Sequence, residues 1–137
     1  LGGAVASWTS TATNDDPNLT LVQGRAATTD ATPTILMSIT LVASRTYQFE
    51  ARVVARRTGG ASGTADDGAA YFIRGGFTTK TGTVTLLGSL TVEAAEDVAG
   101  WNATLTAGSG AVNLVVTGAA TTDVTWHATV DYSWVGT

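Results

Sequence analysis

The stretch that decides the fold runs from Tyr47 to Arg57 and reads Tyr-Gln-Phe-Glu-Ala-Arg-Val-Val-Ala-Arg-Arg. Apolar side chains occupy every second position from Tyr47 to Ala55, and mostly polar or charged residues stand between them. A β-strand points successive side chains to opposite faces, so this period of two predicts a strand with one buried face and one wet face. The stretch therefore predicts an antiparallel β domain with its arginines on the solvent side.

Seven further segments have the composition or alternation of strands and follow one another at the spacing of a sandwich or barrel. They are 19–28, 34–42, 69–79, 83–92, 101–107, 111–117 and 124–135. Segment 93–100 is the one helical candidate, and it is short enough to be a loop instead. We predict an all-β fold: an antiparallel β-sandwich, jelly-roll-like, of about eight strands.

A turn cluster at 14–18, Asn-Asp-Asp-Pro-Asn, divides the chain into two parts. Residues 19–137 are predicted to form the sandwich domain. Residues 1–18 are predicted to be an N-terminal arm or a short strand that serves as an attachment segment. Trp8 is the one aromatic residue of this first part.

The composition fits a single β domain and disfavours several partners. A length of 137 residues allows one substantial core. The net charge of −4 disfavours nucleic acid, because phosphate binding needs a clustered basic surface. Cysteine is absent, which excludes a disulfide scaffold and thiolate metal sites. No stretch approaches the ~20 apolar residues of a membrane-spanning helix, so membrane insertion is not expected.

No arrangement of residues has the pattern of an active site. His127, the only histidine, lies on the polar face of the last predicted strand, and the Gly-x-Ser-x-Gly elbow of a hydrolase is missing. A polar strand face is therefore favoured over a Ser-His-Asp triad. Glu93, Glu96 and Asp97 could supply the acid and base of a glycosidase, but a solvated loop or helix surface explains them more simply.

The acidic clusters 14–16 and 66–67 raise the question of bound calcium. Neither has the ligand spacing of an EF-hand loop, so turn chemistry is favoured over a metal site. We accordingly predict a protein that is not an enzyme, with no catalytic residue, no cofactor and no metal.

A protein interface is predicted from exposed aromatic and arginine residues. Trp8 stands in polar surroundings, which suits a partner interface or a glycan, although packing on the sandwich edge explains it as well. Arg52, Arg56, Arg57 and Arg74 come nearest to a basic cluster. Arginine tolerates desolvation at interfaces better than lysine, so these residues are the predicted contact points.

Several segments, taken in order, resemble a β-sandwich domain of bacteriophage and prophage virion proteins. They are 28–34, 50–57, 69–71, 100–105, 115–120 and 124–130. Such domains occur in capsid decoration proteins, head fibres and tail fibres. The resemblance covers residues 28–135 and includes no catalytic motif.

The resemblance implies a non-enzymatic virion structural protein, a capsid decoration or fibre domain that acts through contacts with other capsid or tail proteins. It also implies a homo-oligomer, with a trimer favoured, because fibre axes and capsid threefold positions supply that symmetry. The alternative is a receptor- or carbohydrate-binding module at a fibre tip. Such a module would use its tryptophans and the loops 59–68 and 118–123 to meet a host-surface glycan during host attachment.

Overall fold

Strand pairing builds two antiparallel sheets that share one core. The structure is a computed structural model that describes residues 19–136. In chain order its strands are β1 (Leu19–Thr28), β2 (Thr34–Thr40), β3 (Arg45–Gly60), β4 (Gly68–Lys80), β5 (Thr83–Glu96), β6 (Asn102–Ala107), β7 (Ala111–Thr117) and β8 (Thr122–Gly136). One sheet has the order β1-β8-β3-β4-β5 and the other the order β2-β7-β6. The predicted all-β antiparallel sandwich is confirmed.

Strand β3 lies at the centre of the five-stranded sheet, between β8 and β4. Its inward side chains from Tyr47 to Ala55 are buried, and Gln48, Arg52 and Arg56 on the opposite side are exposed. The alternation predicted from the sequence is therefore the alternation of the strand. Burial of the inward row is favourable by roughly 25 cal/mol per Å² of apolar surface, which holds the strand in this orientation.

The core joins the two sheets through small aliphatic and large aromatic side chains. Strand β7 contributes Val112, Leu114 and Val116, which are fully or almost fully buried. Trp101, just before β6, and Trp126 of β8 meet with their ring centroids 5.9 Å apart. These two indoles are the largest fully buried side chains of the described residues, and their contact packs the two sheets against each other.

Two local features refine the strand assignment. The helical candidate at 93–100 is wrong, because β5 continues through Glu96 in register with Ala69. A helix of that length would be marginal alone, whereas pairing with β4 satisfies the backbone groups of the segment.

The bend predicted at Gly75 is confirmed, since the register of β4 and β5 shifts there. A β-carbon on Gly75 would overlap the end of the Leu90 side chain, so a larger residue there would require Leu90 to move.

The jelly-roll arrangement stays a prediction. The chain crosses between the sheets from β1 to β2, from β2 to β3, from β5 to β6 and from β7 to β8. Strands β3, β4 and β5, in contrast, follow one another as neighbours within a single sheet. The described part of the chain contains no helix that could span a membrane.

Replacing Thr28 by valine tests the buried polar contact of the core. Trp126 Nε1 donates a hydrogen bond to Thr28 Oγ1 at 3.0 Å. Thr28→Val keeps the shape of the side chain but leaves a buried donor unpaired, so we expect a loss of about 1–3 kcal/mol in unfolding free energy. Urea denaturation of Thr28→Val, and of the exposed control Thr29→Val, measures this loss of unfolding free energy. Equal stability of the two variants would contradict this role of Thr28.

Candidate functional site

The outer face of the five-stranded sheet, the side turned away from the three-stranded sheet, is the candidate interaction surface. Strand alternation places a regular grid of side chains on it. Reading from β1 to β5, successive cross-strand rows are Leu21, Asp131, Glu50, Arg74 and Thr91; then Gln23, Thr129, Arg52, Phe72 and Glu93; then Arg25, His127, Val54, Ala70 and Ala95. No further strand of residues 19–136 packs on this face.

Three of the predicted interface arginines lie on the outer face, and two of them, Arg52 and Arg74, contact the same aromatic ring. The guanidinium carbons of Arg52 and Arg74 lie 5.2 and 5.5 Å from the centroid of the Phe72 ring. Arg52 Nη1 is also 3.9 Å from Asp131 Oδ2. Exposed contacts of this kind contribute little to folding, so the arginines remain available to a partner. Arg56 lies four residues beyond Arg52 on β3, on the same face.

The structure gives Arg57 a different role and does not describe Trp8. Arg57 Nε donates to the carbonyl oxygen of Ser62 at 2.9 Å, and its Nη2 donates to that of Gly60 at 2.8 Å. Its guanidinium therefore holds the β3–β4 loop, and Arg57 itself is half-buried. Trp8 lies outside the described residues, and its place in an interface stays a prediction.

An apolar corner, formed by Leu19, Leu21 and Val135, is the part of the outer face that sequence reasoning missed. These side chains are 63%, 61% and 69% exposed. They are neighbours because Leu19 is in register with Ser133, two residues before Val135. Contiguous exposed apolar side chains of this kind mark contact surfaces, whereas single ones do not. Only the pairing of β1 with β8, over a hundred residues apart in the sequence, brings them together.

Two shallow depressions lie on either side of Val54. One has a volume of about 390 Å³ and is lined by Arg52, Phe72 and Glu93 among others. The second, about 370 Å³, is here called the basic depression. Its lining side chains with polar groups are Arg25, Arg56, Thr58, Thr125 and His127.

The carboxylates of the β5 end do not form a catalytic pair. Glu93 points to the outer face, and Glu96 points to the inner one, because they stand three positions apart on a strand. Tyr71 Oη donates to Glu96 Oε2 at 2.5 Å. Burial of Tyr71, with the hydrogen bond to the carboxylate and its negative charge, raises the pKa of the phenol. Asp97 Oδ2 accepts a bond from the Gly68 amide at 2.9 Å.

His127 has no triad partner in register. Its cross-strand neighbours are Arg25 and Val54. The carboxylates on its own side of β8, Asp123 and Asp131, are four residues away in each direction, roughly 13 Å along the strand. His127 therefore lies on a polar strand face, as the alternation in the sequence predicts.

The acidic cluster 66–67 serves the turn between β3 and β4. Asp66 Oδ1 pairs with Arg56 Nη2 at 2.5 Å, and Asp67 Oδ2 accepts a bond from the Thr64 amide at 2.9 Å. Among residues 19–136, no three His, Asp or Glu side chains converge as a metal ion would require. The second acidic cluster, at 14–16, lies outside the described residues.

Comparison with known proteins gives distant structural likenesses. No protein-family model and no curated protein matches the chain. The tailspike protein of Acinetobacter baumannii phage AM24 is similar to 88% of the chain at 9% identity, with a TM-score of 0.49. Tailspike gp49 of Acinetobacter baumannii bacteriophage Fri1, a capsular polysaccharide depolymerase, is similar to 88% at 8% identity, with a TM-score of 0.34. The chain spans 27% and 22% of these two proteins. At TM-scores below 0.5 neither likeness establishes a function for this chain.

Alkaline pH tests the environment of Tyr71. Because the pKa of Tyr71 is raised in the folded chain above its ordinary value of 10.0, its contribution to stability is complete below that pH and is lost as the pH rises further. Raising the pH from about 8 to about 11 should therefore lower the unfolding free energy of Tyr71→Phe by less than it lowers that of the parent chain. Guanidinium denaturation at both pH values measures the difference. An identical alkaline loss in the two proteins would rule out the proposed coupling.

Proposed function

We propose that the chain is a non-enzymatic structural protein of a bacteriophage virion. It is a capsid decoration or fibre domain that acts through protein–protein contacts on the particle surface. The observation that carries the proposal is the apolar corner on a sheet face that no other strand of residues 19–136 covers, taken with the ordered set of segments that resemble virion β domains. The proposed location of the chain is therefore the virion, in its capsid or its tail.

The apolar corner is suited to a contact with another virion protein. Each of its three side chains is more than half exposed, so a partner that covered them would remove apolar surface from water at roughly 25 cal/mol per Å². Leu19 begins β1, so the corner lies where residues 1–18 join the domain. An attachment segment at residues 1–18 and the apolar corner would therefore act at one place.

The centre of the outer face would orient such a contact. Glu50 lies directly between Asp131 and Arg74 in its row, and Arg52 follows in the next row. Charges of both signs at fixed positions reject a mismatched partner and set the register of a matching one. Arginine, rather than lysine, supplies the positive charges of this centre, as is typical of protein interfaces.

A homotrimer is the oligomeric state that we propose, since threefold symmetry is what a fibre axis or a capsid threefold position supplies. Light scattering of the purified chain tests it. A monomer at all accessible concentrations, together with absence of the chain from purified particles, would contradict the proposed function.

Placing a charge in the apolar corner tests the contact itself. Burying a lysine without a partner is costly, so Leu21→Lys should reduce incorporation of the chain into particles by roughly tenfold or more. The control is Ile35→Lys, because Ile35 is 56% exposed but belongs to β2 of the other sheet. Quantitative mass spectrometry of purified particles measures incorporation, and circular dichroism checks the fold. Equal losses in the two variants would argue against the corner as the contact.

A further inference from the structure

The basic depression brings together polar groups from three adjacent strands. Arg25 of β1, His127 of β8 and Val54 of β3 lie in one cross-strand row. Thr125 and Arg56 lie in the next row. The two arginines are two strand spacings, roughly 10 Å, apart across the sheet, so their long side chains reach the same small volume from opposite sides.

The positive charge of the depression is only partly compensated. Arg56 forms an ion pair with Asp66, whose carboxylate is exposed. Arg25 has neither an ion-pair nor a hydrogen-bond partner among the described residues. His127 is half-buried beside it and has no such partner among those residues either. The Arg25 side of the depression therefore offers unused donors to an anion.

The depression also offers groups that bind neutral hydroxyls. The Thr125 side chain lies between the two arginines, and a hydroxyl both donates and accepts. Thr58, which also lines the depression, adds a second hydroxyl. The exposed Val54 side chain gives an apolar wall. Cationic donors, two hydroxyl groups and an apolar wall suit a ligand that carries a carboxylate and several hydroxyl groups.

We propose that the basic depression binds an acidic saccharide, with the sugar carboxylate at Arg25 and His127 and its hydroxyl groups at Thr58 and Thr125. This goes beyond the proposed structural function and does not depend on it. A carboxylate side chain of a protein partner would use the arginine but would have no hydroxyl groups to pair with Thr58 and Thr125. A volume of about 370 Å³ is also within the range of small-ligand sites.

The site is separate from the proposed particle contact. Arg25 lies two cross-strand rows beyond Leu21, the nearest side chain of the apolar corner, so roughly 13 Å of strand separates the two sites. None of the residues that line the depression belongs to the apolar corner or to the charged row of Glu50, Asp131 and Arg74. One sheet face can serve attachment at one end and ligand binding at the other.

Nuclear magnetic resonance titration of the purified chain tests the site without any particle. The probe is trigalacturonic acid, and its methyl ester is the matched neutral ligand because it keeps every ring hydroxyl while each carboxylate loses its charge and gains a methyl group. A peptide of three glutamates is the protein-like carboxylate. We expect saturable amide shifts at Arg25, Thr125 and His127 with the acid, and far smaller shifts with the ester. Arg25→Gln should weaken the binding of trigalacturonic acid by about tenfold, as expected for the loss of a charge-assisted hydrogen bond.

Arg74→Gln is the control, because it removes the same charge from the same face outside both depressions. It should change the affinity by less than about twofold. Absence of shifts in the depression, equal binding of the ester, or equal effects of the two variants would overturn the proposal. Triglutamate binding as tightly as the saccharide would instead assign the site to protein carboxylates. None of these results bears on incorporation into particles, which Leu21→Lys tests separately.

Discussion

The structure depends on the double pairing of β3, which holds one strand in register with β8 and β4 at the same time. A strand has a period of two, so a slip of a single residue would exchange its two faces. Such a slip would carry Arg52 into the core and Phe49 into water. Burial of the apolar row from Tyr47 to Ala55 excludes that alternative, and the register of the whole five-stranded sheet follows from it.

The same register decides what the surface can do. Because β1 and β5 extend the sheet on both sides of β8, β3 and β4, the outer face is a wide surface with every side chain at a fixed position. Its most exposed apolar side chains lie near the start of β1, and its charges of mixed sign lie at the centre. Arg25, which has no ion-pair partner among the described residues, lies towards the other end. Attachment and recognition can therefore occupy different parts of one rigid face.

Local sequence patterns predicted most of the strands, because alternation and turn residues are properties of neighbouring positions. They also placed Arg52 and Arg56 on the outer face. They failed at residues 93–96, where the helical or loop interpretation ignored a partner strand that lies elsewhere in the chain, whereas the loop interpretation holds for residues 97–100. They could not find the apolar corner or the basic depression, since both need the long-range pairing of β1 with β8. The hydrogen bonds from Arg57 to the β3–β4 loop could not be predicted either, because they depend on the conformation of that loop.

Locating the chain on a purified particle by electron cryomicroscopy is the most direct measurement of the central claim. We predict density for the sandwich at the particle surface, with Leu19, Leu21 and Val135 against a neighbouring virion protein or another copy of the chain. The basic depression around Arg25 should then face solvent. Density in which the apolar corner is in open solvent, or particles that lack the chain, would contradict the proposed role.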